Sequence, residues 1–262
     1  MTARSDCHVH TNFSDGRNTP DEVAAEALRR HMTTLGFSDH GYAPCDLECC
    51  IPFDRRREYV SAVWALKERY RDRLEILCGL EQDYYSLPPV EGVEYIIGSV
   101  HYLRNGDDYR PVDNLPEDII YMAENWFGGD YLSLAEDYFA RVSEIYDVTG
   151  CDIIGHFDLI SKLNGKGRFF DESDPGYVRA WQKAADKLLK TGKPFEINTG
   201  AISRGYRDVP SPAPPIQRYL ADHGARFILS GDSHRAEHLC FDFDRVEAES
   251  RAAGLHLISR PF

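Results

Sequence analysis

The chain has 262 residues, 42% of them hydrophobic, and a formal charge of −13 at pH 7 from 30 Lys and Arg against 43 Asp and Glu. That length is close to the ~250 residues of a single α/β barrel, and the apolar share supports a full core and excludes a disordered or low-complexity chain. The acidic balance argues against a general binder of nucleic acid or membrane surfaces, since both are polyanions. No apolar run approaches the ~18 residues of a transmembrane helix, and the start MTARSDCHVH has no apolar signal region, so the expected location is the cytoplasm.

Short β-rich segments alternate with amphipathic ones along the chain. The first strand is expected at Arg4–Val9. A helix follows, with Thr19 as N-cap, Pro20 in the first turn and Glu22 closing a capping box. A second strand, Thr34–Ser38, leads through a loop containing Pro and Cys to a helix at about 54–70. Strands at Leu74–Leu80 and Glu94–Val100 come next, then an insertion of roughly 102–150 with two helices expected. The fifth strand is Cys151–Gly155, and a helix capped by Asp174 runs to about Lys190. The sixth strand is Pro194–Asn198, a Pro-rich loop and helix end near His223, and the seventh strand is Arg226–Ser230. A short helix and a last strand, Leu255–Ser259, complete the chain. Strands alternating with helices imply parallel strands and right-handed crossovers. Seven or eight such units with no linker point to one domain, 1–262, built as a barrel.

The seven Cys are an odd number in a chain too large to need staples, so free thiols in a reducing compartment are expected. Cys45, Cys49 and Cys50 crowd one loop, but with no second pair nearby they read as ordinary thiols rather than a zinc site.

The chemistry gathers at the strand ends. In order they read Asp6-Cys-His8-Val-His10, Ser38-Asp39-His40, Gly79-Leu-Glu81, Gly98-Ser-Val-His101, Gly155-His156-Phe-Asp158, Phe195-Glu196-Ile-Asn198 and Gly231-Asp232-Ser-His234. A parallel barrel brings all carboxyl ends of its strands to one face, where active sites are built. His8 and His10 stand two apart, as do Asp232 and His234, so each pair shares a side of its strand and can address one centre. A lone His at a strand end is more often a hydrogen-bonded structural group. Seven ends in register are a different signal. Imidazoles with carboxylates suit Zn²⁺, Mn²⁺ or Fe²⁺ rather than soft thiolate chemistry, and the ligands are too many for one ion, so two or three divalent metals are expected. His31, His223, His238 and His256 fall outside the pattern and read as structural.

These motifs, in this order from Asp6 to His234, resemble the polymerase-and-histidinol-phosphatase (PHP) domain family. Phe127-Gly-Gly-Asp130, DIIGHFDLISKLN and EINTGAISRG are similar to its stand-alone histidinol-phosphate phosphatase branch. The resemblance implies a distorted (β/α)7 TIM-like barrel and a metal-activated hydroxide that hydrolyses L-histidinol phosphate, a small phosphate ester, to histidinol and phosphate. It implies His8, His10, Glu81 and Asp232 around a first metal. Glu81 would bridge to a second metal, which also takes His101 and His156, and His40 and His234 would hold a third. Many such phosphatases carry another His after HxH; here Ser14-Asp15-Gly16 stands there, and Asp15 would supply an oxygen ligand instead.

Glu81, Asp232 and His234 are then the candidate catalytic residues, with Asp232 orienting the attacking hydroxide and Asp39 supporting His40. Arg204 and Lys162 are candidates to grip phosphate, with Arg168 and Arg207 weaker ones, and Asp158 or Glu196 could face a substrate amine. Three alternatives stay open: a PHP-type phosphatase for nucleotides, sugar phosphates or phosphotyrosine; an amidohydrolase-type enzyme, against which the absence of a bridging Lys counts; and a non-catalytic metal-binding module. The oligomeric state is not legible.

Overall fold

A computed structural model describes residues 4–261. Its sheet consists of β1 (Arg4–Asp6), β2 (Met32–Phe37), β3 (Glu75–Asp83), β4 (Tyr95–Ser99), β7 (Ile153–Ile154), β8 (Phe195–Asn198), β9 (Arg226–Ser230) and β10 (His256–Ile258), neighbours in that order and all paired in parallel. The remaining strands, β5 (Tyr102–Asn105) and β6 (Asp108–Pro111), form an antiparallel hairpin of their own.

The ring closes only at its carboxyl end. Residues 8–10 continue β1 as extended chain and bond alternately to both sides. The His10 N–H donates to the Ser233 carbonyl and the Ser233 N–H to the His8 carbonyl, while the Ser38 N–H donates to the Val9 carbonyl. At the amino end β10 fills the gap instead, pairing with the first three residues of β9 while the Ser5 hydroxyl donates to the Ser259 carbonyl. Seven strands therefore frame the functional face and an eighth wedges the floor open, which is the physical content of the expected distortion.

Helices pack outside as the local signals dictate. The first helix, α1 (Pro20–Arg29), starts with the expected capping box: the Glu22 N–H donates to the Thr19 hydroxyl and the Thr19 N–H to the Glu22 carboxylate. It packs with α2 (Arg56–Tyr70) against β2 and β3. The insertion departs from expectation. It opens with the β5–β6 hairpin, joined by Gly106-Asp107 after Asn105, and carries α3 (Pro116–Trp126), α4 (Tyr131–Val142) and the short α5 (Ile145–Thr149). Gly106, with φ of +62°, takes the first turn position, where glycine is favoured. The hairpin strands are short and mix polar with apolar side chains, so alternation does not reveal them. Beyond it, α6 (Pro175–Leu189) is capped by the Asp174 carboxylate on the Gly176 N–H and packs on α4. The chain is completed by α7 (Gly200–Ser203), α8 (Pro214–Asp222) and α9 (Phe243–Ala252).

The barrel interior is layered. On β3, Leu77, Gly79, Glu81 and Asp83 share one side, and on β4 Tyr95, Ile97 and Ser99 do. The lower layer is apolar, with Cys7, Leu77, Tyr95, Ile97, Ile153 and Ile228 packed together. The upper layer is polar and opens to the face where the strands end. All seven Cys are free thiols.

Candidate metal centre

Glu81 stands at the hub of the upper layer, 1% exposed. Its Oε1 lies 2.8 Å from His156 Nε2 and 3.4 Å from His101 Nε2. Its Oε2 lies 3.1 Å from His8 Nε2, 3.2 Å from His40 Nδ1 and 3.5 Å from His10 Nε2. The two carboxylate oxygens thus face two different sets of imidazoles, and the Ser99 hydroxyl fixes the carboxylate by donating to Oε1.

Asp232 is the second hub. Its Oδ1 lies 3.4 Å from both His10 Nε2 and His234 Nδ1, and its Oδ2 accepts from Arg204 Nη2 at 2.8 Å. The Asp232 backbone has φ of +48°, in the left-handed region that L-residues other than glycine enter at a cost. It is held there from both sides: the Gly231 N–H donates to Asp6 Oδ1 and the Ser233 N–H to the His8 carbonyl. Asp15 closes the outer edge, 3.0 Å from His234 Nε2 and 3.7 Å from both His10 Nδ1 and His40 Nε2.

Four sets of donor atoms come close enough to share an ion: His10, Asp15, His40 and His234; His8, Glu81 and His156; His8, His10 and Asp232; and His40, Glu81 and His101. Every residue that the sequence nominates as a ligand takes part. The grouping is not quite the one implied by the resemblance, because His10 also joins the outer set, His8 also joins His156, and His40 also joins His101. Among the described residues no Cys enters any set.

A cation fits this donor set. Buried polar atoms are nearly always satisfied, yet His8 Nε2, both ring nitrogens of His10 and His156 Nδ1 are buried with no hydrogen-bond partner. The charges have been arranged at a cost that only pairing or a metal offsets. Burial pushes the Glu81 and Asp232 carboxyls up, but the facing imidazoles, and for Asp232 first Arg204, hold both well below the usual range. Burial with His234 and His40 nearby pushes the His10 imidazolium down to about 3. Burial also disfavours charge on His101, but the Glu81 carboxylate and Asp83 outweigh it and raise its pKa to about 10.

Around the hubs stands a tier of supporting groups that the sequence shows less clearly. Asp39, fully buried, accepts from the Thr11 and Ser14 N–H groups and hydroxyls, so it shapes the loop that presents Asp15. Asp83 Oδ2 accepts from the His101 N–H and lies 3.5 Å from His101 Nδ1. Glu196 accepts from His8 Nδ1. Asp158 is buried and committed to the Ser211 hydroxyl and the Ala213 N–H. Neither Glu196 nor Asp158 is therefore free to face a substrate amine.

Over the hubs lies an open cleft of about 280 Å³. Arg204 and Lys162 both line it, as do Tyr102, Tyr206, Asp46 and Asp113. Lys162 Nζ is 2.8 Å from Asp113 Oδ2. Arg207 turns away to Glu172 and the Ser161 carbonyl, and Arg168 lies over the Phe169 ring.

A parallel barrel closed at its carboxyl end, whose strand ends converge on imidazole and carboxylate donors, defines a metal-binding α/β-barrel protein. The PHP domain model matches residues 6–200, most of the chain, and the protein belongs to the PHP domain family. A Deinococcus radiodurans protein named probable histidinol-phosphatase is 31% identical over 97% of this chain and 95% of its own length. Two solved structures share the fold. HisK of Listeria monocytogenes superposes with a TM-score of 0.79 at 17% identity, covering 92% of this chain and 99% of that one. Histidinol phosphate phosphatase of Lactococcus lactis, solved with zinc, L-histidinol and phosphate, has a TM-score of 0.69 at 18% identity, covering 97% and 95%.

Proposed function

We propose that this protein is a metal-dependent phosphomonoesterase that hydrolyses L-histidinol phosphate to histidinol and phosphate, with the chain 1–262 acting as one PHP phosphoesterase domain. The observation that carries the reading is the convergence of nine donor residues beneath a cleft that also holds Arg204 and Lys162. The names of the relatives supply the substrate.

His8, His10, Asp15, His40, Glu81, His101, His156, Asp232 and His234 would hold two or three divalent ions of zinc, manganese or iron. Such ions, when bound, activate water and neutralise the phosphoryl oxygens. The protein's own groups do the rest. Asp232, fixed by Arg204 on one oxygen, would use the other to orient the attacking water. Arg204 lines the cleft beside Asp232, to which its Nη1 and Nη2 donate, and would offer its guanidinium to a phosphoryl oxygen there. Lys162 is held by Asp113 as a neutralised pair at the cleft wall and contributes charge to the phosphate when that pair loosens. His234, between Asp15 and Asp232, keeps both carboxylates in place at the rim.

The test is metal content and hydrolysis of histidinol phosphate, AMP and phosphotyrosine by the wild type and by His8→Ala/His10→Ala. We expect bound metal and preference for histidinol phosphate in the wild type, and loss of both in the double variant. Wild-type turnover without those imidazoles would refute the metal reading, and preference for another ester would refute the substrate.

A further inference from the structure

Glu196 lies on β8 inside the barrel, 1% exposed, and touches none of the cleft. A carboxylate so deep needs a reason, because burying a charge is costly unless it is fully hydrogen-bonded. Its two oxygens are used differently. Oε1 sits 2.6 Å from His8 Nδ1. Oε2 accepts from the backbone N–H of His156 at 2.8 Å and from Asn198 Nδ2 at 3.2 Å. His8 and His156 come from opposite sides of the ring, at the ends of β1 and β7, and both point their Nε2 at Glu81.

We propose that Glu196 is the positioning residue of the metal centre: it fixes His8 with the proton on Nδ1 and the bare Nε2 toward the ion, and pins the His156 backbone to the same carboxylate. The proposal rests on the metal-binding function proposed above. Its physical basis is the two-faced nature of imidazole. A neutral ring carries one proton, and an acceptor at Nδ1 draws that proton there, leaving Nε2 as the lone-pair donor. Among the buried imidazoles His8 alone has a carboxylate hydrogen-bonded to the nitrogen that faces away from Glu81 and Asp232; His156 Nδ1 and His10 Nδ1 have no such partner.

The geometry makes Glu196→Gln unusually informative. The His156 N–H and the Asn198 Nδ2 are both fixed donors, so they hold the amide oxygen of the new side chain on their side. The NH₂ group must then face His8 Nδ1, which is forced to accept. The His8 proton moves to Nε2 and blocks the ion. Size and shape are unchanged, so the barrel should fold.

Zinc affinity is measured by chelator competition for the wild type, Glu196→Gln and His8→Ala, with circular dichroism of each metal-free protein as the check on folding. We expect Glu196→Gln to fold and to bind the ion contacting His8 about ten- to a hundredfold more weakly, approaching His8→Ala. ¹⁵N imidazole spectra should show His8 protonated at Nδ1 in the loaded wild type and at Nε2 in the variant. A folded Glu196→Gln with wild-type zinc affinity overturns the proposal and leaves the metal function standing. A wild type that binds no zinc at all overturns both. If Glu196→Gln fails to fold, the wild-type spectrum decides: a proton on His8 Nδ1 supports the positioning role, and an unprotonated Nδ1 refutes it.

Discussion

Tyr95 is the floor on which the site stands, and its removal can be costed. The side chain is 1% exposed in the apolar lower layer of the barrel, and its ring lies across two positions where only glycine fits. A Cβ on Gly79 would fall 2.2 Å from the ring, and one on Gly36 would fall 2.3 Å from the hydroxyl oxygen. The hydroxyl donates to the Cys7 carbonyl at 2.8 Å and shares its proton with the Phe37 carbonyl at 3.0 Å. One phenol therefore ties β4 to the ends of β1 and β2, one residue before His8. Tyr95→Phe keeps the ring and deletes the tie. Leaving a buried acceptor short of its partner costs ~1–3 kcal/mol, and with one proton shared between two carbonyls the middle of that range, about 2 kcal/mol, is expected. For a domain of this size that lowers Tm by roughly 4–8 °C. Urea unfolding of the metal-loaded variant, monitored by far-UV circular dichroism, gives the number. Gly79→Ala should cost more than Tyr95→Phe in the wild-type background and much less when Tyr95 is replaced by Ala, because the methyl then enters the space left by the ring. A loss below about 0.5 kcal/mol for Tyr95→Phe, or Gly79→Ala costs that are equal in the two backgrounds, would refute the reasoning.

Three further outcomes are expected. Metal loading should release protons at neutral pH. His101 titrates near 10 in the metal-free protein because Glu81 and Asp83 outweigh burial, so at pH 7 it must lose a proton to bind. With the folded value raised above the ordinary 6.5, this group stabilises the metal-free protein below about pH 6.5, and that contribution is lost as pH rises through about 10. Calorimetric titration with zinc in buffers of different ionisation enthalpy should give heats that depend on the buffer; identical heats would refute proton release. Arg204→Ala removes the donor from Asp232 and from the phosphate together, and kcat/KM should fall by about ten- to a hundredfold on the scale of 1.5–3 kcal/mol for a hydrogen bond to a charged group; unchanged kinetics would remove Arg204 from the site. Asp15→Ala should lower zinc stoichiometry by one ion through the outer set with His10, His40 and His234 while sparing the Glu81 sets; full stoichiometry would show that Asp15 holds no metal.

The strand-end motifs made the site legible because a parallel barrel leaves little freedom. Once His8, Glu81, His156 and Asp232 stand at the carboxyl ends of β1, β3, β7 and β9, spaced around the ring, closure brings them together whatever the loops do. Strand limits were less legible. The extended chain at 8–10 bonds alternately to Ser38 and Ser233, so the strand pattern ends at Asp6 although the chain runs on straight. The β5–β6 hairpin is hidden because its strands are only four residues long and mix polar with apolar side chains without alternation, although Leu103 is buried in the core. Which imidazole shares which ion depends on ångström-scale ring placement that spacing along a strand does not encode, as the double membership of His8, His10 and His40 shows. The same limit explains Glu196. Its position in a strand end is visible in the sequence, but only the fold shows that its side chain points inward to His8 rather than up to a substrate.

The net charge of −13 raises the question of how an acidic protein holds an anionic ester. The cleft sharpens it. Five carboxylates line it, Asp15, Asp46, Glu81, Asp113 and Asp232, against the two fixed cations Lys162 and Arg204. Both cations are already committed, Lys162 to Asp113 and Arg204 to Asp232, each at 2.8 Å. The imidazolium of His101 faces Glu81 in the same way. Without metals, then, every positive group at the cleft faces a carboxylate, and a phosphate would meet a net negative wall. On the function proposed above, divalent ions would reverse that balance locally, by neutralising Glu81, Asp232 and Asp15 and adding positive charge at one face. Inorganic phosphate should accordingly bind the zinc-loaded protein, compete with the ester and leave the chelated protein untouched at the same concentration. Calorimetry on the two forms checks it. Equal phosphate affinity with and without metal would mean that Arg204 and Lys162 suffice to hold the anion, and that the neutralising role assigned to the ions is wrong.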